Sequence, residues 1–171
     1  ARRLEQLDLR LARDTYLDAL VASLVAGPLA QPGGDLLEVS RAARSAPPPR
    51  RDPQLGDLLL DGIATMIADG RSAARPGLRR AVDAFLGDQV SPDDWLKWGL
   101  LGTGAAVALW DVTSWARLST RHLEIARASG ALAPLSAALN AQRVLAVFFG
   151  DFGKATALGV EEVAVKEVIG A

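Results

Sequence analysis

Apolar positions recur along the chain at three-to-five-residue intervals, in blocks broken by Gly, Pro and Asp. That spacing keeps one face of an α-helix apolar, and so predicts a succession of helices. Asp8 is placed to cap a first helix that carries Leu11, Tyr16, Leu20, Leu24 and Val25 and ends near Gly27-Pro28. A shorter helix runs from Asp35 to about Ser45. The stretch APPPRRDP, residues 46–53, reads as a linker, because successive prolines fix φ and remove backbone donors. Asp52-Pro53 then reads as an N-cap followed by proline in the first helical position. Leu55, Leu58, Leu59, Ile63, Met66 and Ile67 form the stripe of a third helix, closed by Asp69-Gly70. Leu78, Ala81, Val82, Phe85 and Leu86 mark a fourth, with Pro76 near its start. Ser91-Pro92-Asp93-Asp94 opens a fifth, with acids over the positive end of its dipole. Asp111 caps a sixth, which stops at Gly130. Pro134 sits near the start of a seventh, and Gly150-Asp151 precedes an eighth that ends at about Ile169.

The helices pair, and the turn inside each pair repeats. Gly70, Trp110 and Gly150 lie at intervals of 40 residues, each between one helix and the next. An earlier turn near Gly27 is lengthened by GPLAQPGG. Two helices per repeat of this length is the period of tetratricopeptide and HEAT-like arrays. The expected fold is therefore all-α: about eight helices in four antiparallel hairpins, roughly 8–45, 52–87, 92–130 and 132–169. They would form a single tetratricopeptide-like, right-handed helical-repeat domain spanning 1–171.

Composition supports helices and narrows the function. Half of the 171 residues are hydrophobic but only 5% are aromatic, the mixture of Ala, Leu and Val that favours helix over strand. A net charge of −1 leaves no electrostatic footprint for nucleic acid or anionic lipid. The absence of Cys removes disulfides, thiolate metal sites and Cys nucleophiles, which fits a cytoplasmic protein. No apolar run reaches the ~18 residues of a membrane span.

The candidate chemistry concentrates in WLKWGLLGTGAAVALWD, residues 95–111, which holds three of the four tryptophans. Gly99 and Gly104 have the spacing of a Walker A loop, but Ala105-Ala106 stand where Lys and Ser/Thr would hold phosphate and magnesium. The fragment GLLGTG reads instead as the thin middle of a buried helix, with glycines that admit close neighbours. Trp95, Trp98, Trp110 and Trp115 are candidate liners of a partner or ligand groove between hairpins, with Arg79 and Arg80 as candidate anion contacts. His122, the only histidine, reads as a partly exposed helical residue. Glu161 and Glu162 read as a solvated face. No catalytic, metal-binding or cofactor-binding residue is expected.

Several stretches together resemble the helical middle region of the large ATP-dependent, LuxR-type transcriptional regulators of actinobacteria, relatives of the maltose-regulator type. They are LARDTYLDAL (11–20), DLLLDGIA (57–64), LRRAVDAF (78–85), ALWDVTSW (108–115), RHLEIARASGAL (121–132) and FFGDFGKA (148–155). The resemblance implies a fragment of a larger protein with an ATPase module before it and a DNA-binding helix-turn-helix after it. It implies a non-catalytic sensor and protein-interaction role, with a protein or small-molecule inducer as partner and no direct contact with DNA or membrane. The alternative is a free-standing tetratricopeptide-like scaffold. Uncovered hairpin faces are expected to be met by a homodimer or by repeats outside the segment, and to make the size of the isolated segment concentration-dependent.

Overall fold

A computed structural model describes residues 1–29 and 34–170. All regular structure among them is helical: α1 Leu9–Ala26, α2 Leu36–Ser45, α3 Leu55–Asp69, α4 Arg71–Leu86, α5 Pro92–Ala108, α6 Val112–Ser129, α7 Leu132–Phe148 and α8 Phe152–Ile169. Short 3-10 turns at Arg2–Leu4 and Gly27–Leu29 flank α1. Residues 30–33 of the GPLAQPGG turn, and the side chain of Val25, lie outside the described residues. The chain divides into two compact units, 1–81 and 82–171, with the division falling inside α4.

The caps follow from local chemistry. Asp8, Asp35, Ser91, Asp111 and Asp151 each accept the backbone N–H three residues on, satisfying one of the free donors of a first turn. At α3 the expected Asp52-Pro53 start is displaced. The helix begins at Leu55, where the Asp57 carboxylate accepts the Gln54 N–H at 3.1 Å and closes a capping box that Asp52 lacks.

In the first unit α1, α2 and α3 pack on one another around Ala12, Leu17, Leu20, Leu59 and Leu60. The buried face of α1 differs from the predicted stripe: Tyr16 and Leu20 face inward as expected, while Leu11 and Leu24 are exposed. Arg13 turns inward among the apolar residues. It donates to Asp57 and, at 2.6 Å, to Asp61, both on α3, and at 3.2 Å to the carbonyl of Pro47 in the linker. Burial works against its charge, but the hydrogen bonds to Asp61 and Asp57 outweigh that and hold its pKa above the ordinary value. The crossing of α3 and α4 is set by Gly62 and Gly77: a Cβ at Gly77 would stand 3.4 Å from the Gly62 Cα, so the two backbones touch.

In the second unit each helix packs on the next, α5 on α6, α6 on α7 and α7 on α8. Its core includes Leu123, Ala126, Ala138, Leu139 and Leu158. α5 approaches α6 where Gly99 faces His122, and α8 approaches α7 where Gly159 faces Arg143. This packing of consecutive helices is consistent with a helical repeat. Glu162 departs from the solvated face expected for it. It is buried, and although burial opposes its charge, hydrogen bonds from Lys166 and Arg143 hold its pKa below the ordinary value. Glu161 pairs with Arg127 at 2.6 Å.

The three spaced turn residues share one backbone property. Gly70, Trp110 and Gly150 all have positive φ, at 92°, 56° and 75°. The turns at Trp110 and Gly150 are copies of each other. Trp110 N–H bonds to the Val107 carbonyl and Asp111 N–H to that of Ala106; Gly150 N–H bonds to Val147 and Asp151 N–H to Ala146. This is the Schellman pattern, in which the left-handed position normally belongs to Gly. Trp110 occupies it with a side chain, a conformation that costs an L-residue about 1–2 kcal/mol.

Candidate functional site

The site is built around α5. Ser91 caps the helix and Pro92 begins it, which places Trp95 on its first buried turn. The Phe85 ring at the end of α4 meets Trp95 edge-on, with centroids 5.0 Å apart at 68°. On its other side Trp95 lies over His122 of α6, at 6.5 Å and 29°.

Two of the glycines in GLLGTG and its approach admit these rings. A Cβ on Gly99 would stand 2.7 Å from the His122 ring, and one on Gly102 2.7 Å from Phe85. The helix is thin where each ring enters. Gly104 differs, since a Cβ there would meet nothing within 4 Å, and Leu100 and Val107 are exposed. So α5 is buried on the faces turned toward Phe85 and α6, but open along a third. Gly102→Leu is expected to destabilise the second unit by about 2 kcal/mol through overpacking, whereas Gly104→Ala gains about 1 kcal/mol of helix propensity. Urea unfolding followed by tryptophan fluorescence reads both, and equal effects would remove the close-approach account.

His122 is 1% exposed, not partly exposed as its polar neighbours Arg121 and Glu124 led us to expect. Neither ring nitrogen has a hydrogen-bond partner, and burial depresses its pKa to about 4. At neutral pH it is an uncharged packing element under Trp95. The hydroxyls of Thr103 on α5 and Ser119 on α6 are likewise buried without hydrogen-bond partners.

Next to this aromatic stack an open recess of about 590 Å³ lies between the α4–α5 connection and α6. Phe85 and Trp95 form its inner wall; Asp88, Arg117, Arg121 and Glu124 lie around it, with Arg121 and Glu124 paired at 3.3 Å. The side chains of Arg117 and Arg121 sit one turn apart on α6 and offer two guanidinium groups to an anionic or carbonyl-bearing ligand.

The other predicted groove residues are distributed differently. Trp98 is buried, with the Lys97 ammonium 4.2 Å from its ring centre. Trp115 is buried against Phe148, with centroids 5.2 Å apart, and Trp110 is exposed at the neighbouring turn. Arg79 and Arg80 belong to the first unit, while all four tryptophans belong to the second. Arg117 and Arg121 were missed from sequence because arginines are common on helix surfaces; only their position beside Trp95 sets them apart. Among the described residues no cluster of three His, Asp or Glu could hold a metal ion, and no helix is long and apolar enough to cross a membrane. Searches against family models, curated proteins and solved structures return no match to this chain.

Proposed function

We propose that the chain is a non-catalytic sensor and protein-interaction segment of a cytoplasmic LuxR-type transcriptional regulator, its hairpins stacked in a right-handed, tetratricopeptide-like array. The observation that carries the sensor reading is the recess beside Trp95, which joins an aromatic wall to two arginines in a unit made of consecutively packed helices. Concave sites of this size with a few charged groups suit small ligands. A ligand held there touches both Phe85 and α6. Phe85 is seated on Gly102, and Trp95 rests on His122, so binding biases the α5–α6 packing. Differential affinity for two such packings is what a sensor needs to act on modules elsewhere in a protein. ATP hydrolysis and DNA binding belong, in this reading, to modules outside the segment.

The reading is tested at the gene and at the recess. The coding sequence is expected to continue into a Walker A motif upstream and a helix-turn-helix downstream. In that full-length regulator Arg121→Glu is expected to abolish the inducer response while ATP hydrolysis persists. A reading frame without either module favours the free-standing scaffold instead.

A further inference from the structure

The end of the second unit opposite the recess's aromatic stack carries an unusual surface. Trp110 is 68% exposed, Phe149 61%, Phe152 67% and Phe148 50%. The contact of Trp115 with Phe148, and the edge-on contact of Phe148 with Phe149 at 5.5 Å, bring the α5–α6 and α7–α8 turns to the same end. No Lys or Arg stands within either turn, 109–111 or 149–151; each carries one aspartate. The two turns therefore lack the basic cluster that anionic lipid or an acidic peptide would need.

The two turns are matched but complementary. They share one backbone geometry, yet one projects an indole at Trp110 and the other has no side chain at Gly150. The space above Gly150 is open, with nothing within 4 Å of a Cβ placed there. Phe149 and Phe152 flank that gap in sequence.

We infer that this end is a homodimer interface, in which a two-fold axis packs the exposed Trp110, Phe149 and Phe152 of each copy against those of the other, with the open space over Gly150 leaving room for the partner's indole. A two-fold contact needs one self-complementary patch, and an apolar patch whose projecting ring lies next to a residue without a side chain can pack on its own copy. Taking ~200 Å² for a fully exposed aromatic side chain, the four rings offer ~500 Å² per copy. A pair then buries ~1,000 Å², the lower bound for a specific interface, which fits a weak dimer that exchanges with monomer. The left-handed Trp110 belongs to the same account: a residue is held in a disfavoured conformation where its side chain serves a contact. This inference concerns a surface separate from the recess, and stands or falls independently of the sensor reading.

Sedimentation velocity of the full chain across micromolar to millimolar concentration is the test. The wild type is expected to shift from monomer to dimer. Trp110→Gly removes the projection and places at this φ the residue that adopts it without strain, so the fold is retained, as far-UV circular dichroism will report. It is expected to raise the dimer dissociation constant about tenfold or more. Gly150→Ala is expected to weaken the dimer too, although its left-handed φ adds strain; Phe152→Ser provides an unstrained second probe of the same patch. A monomeric wild type overturns the proposal, whether or not the patch then takes up lipid vesicles or another segment of a longer protein. So does a dimer that persists in both Trp110→Gly and Phe152→Ser.

Discussion

Arg13→Met is expected to destabilise the first unit by about 3 kcal/mol, a large fraction of the stability of a small helical unit. Met nearly preserves the side chain's length and apolar stem, so the loss measures the charge. Without the guanidinium, the mostly buried Asp57 loses its cation, and the Pro47 carbonyl and Asp61 each lose a donor. Breaking one side of a buried pair is worse than never having built it, because the remaining charge stays desolvated. Asp57→Asn in the Arg13→Met background removes that stranded charge and is expected to recover about 1 kcal/mol. Thermal unfolding followed by circular dichroism is the appropriate readout, since the first unit contains no tryptophan. A loss below about 1 kcal/mol for Arg13→Met would show that the ion pairs are no better than solvated ones.

Acid is expected to act on the second unit through His122. Its pKa falls from the ordinary 6.5 to about 4 when folded. Between those values the unfolded chain takes up a proton that the folded chain refuses, so stability falls as pH falls. The contribution is fully present above pH 6.5, declines down to about pH 4, and changes no further below it. A shift of this size corresponds to about 3 kcal/mol. All four tryptophans lie in the second unit, so fluorescence-detected urea unfolding at a series of pH values isolates it. His122→Leu removes the titrating ring together with its two unpartnered nitrogens and is expected to flatten the profile between pH 6.5 and 4. A variant with the wild-type slope would assign the acid sensitivity to carboxylate pairs such as Glu162 with Arg143 and Lys166.

These two residues also mark where sequence reading stops. Helix starts were legible because an N-cap is a local event: Asp8, Asp111 and Asp151 each bond three residues ahead. The 40-residue spacing of Gly70, Trp110 and Gly150 was legible for the same reason, as a repeated break in apolar periodicity, and all three proved to have positive φ. The inward face of an Ala-rich helix is harder. On α1 the pattern favoured Leu11 and Leu24, but inward orientation also had to satisfy Arg13, whose carboxylate partners lie 44 and 48 residues further on. His122 sits among charged neighbours on its own helix, and its burial comes from Gly99 and Trp95 on another. The glycine-rich fragment was correctly read as thin, yet only the fold separates Gly99 and Gly102, which receive rings, from Gly104, which receives none. The candidate site follows the same rule: Trp95 was singled out by residue type, whereas Arg117 and Arg121 acquire meaning only from what stands opposite them.

The seat of Phe85 on Gly102 bears on how such a chain is assembled over evolutionary time. The loop at 87–91 looks like the natural seam for duplicating or exchanging a hairpin, since it is short, polar and follows a helix end. A recombination event there would carry the ring away with the preceding segment and leave a benzyl-sized hole beside Trp95. A segment exchanged with this packing kept whole would have to begin within α4, upstream of Phe85.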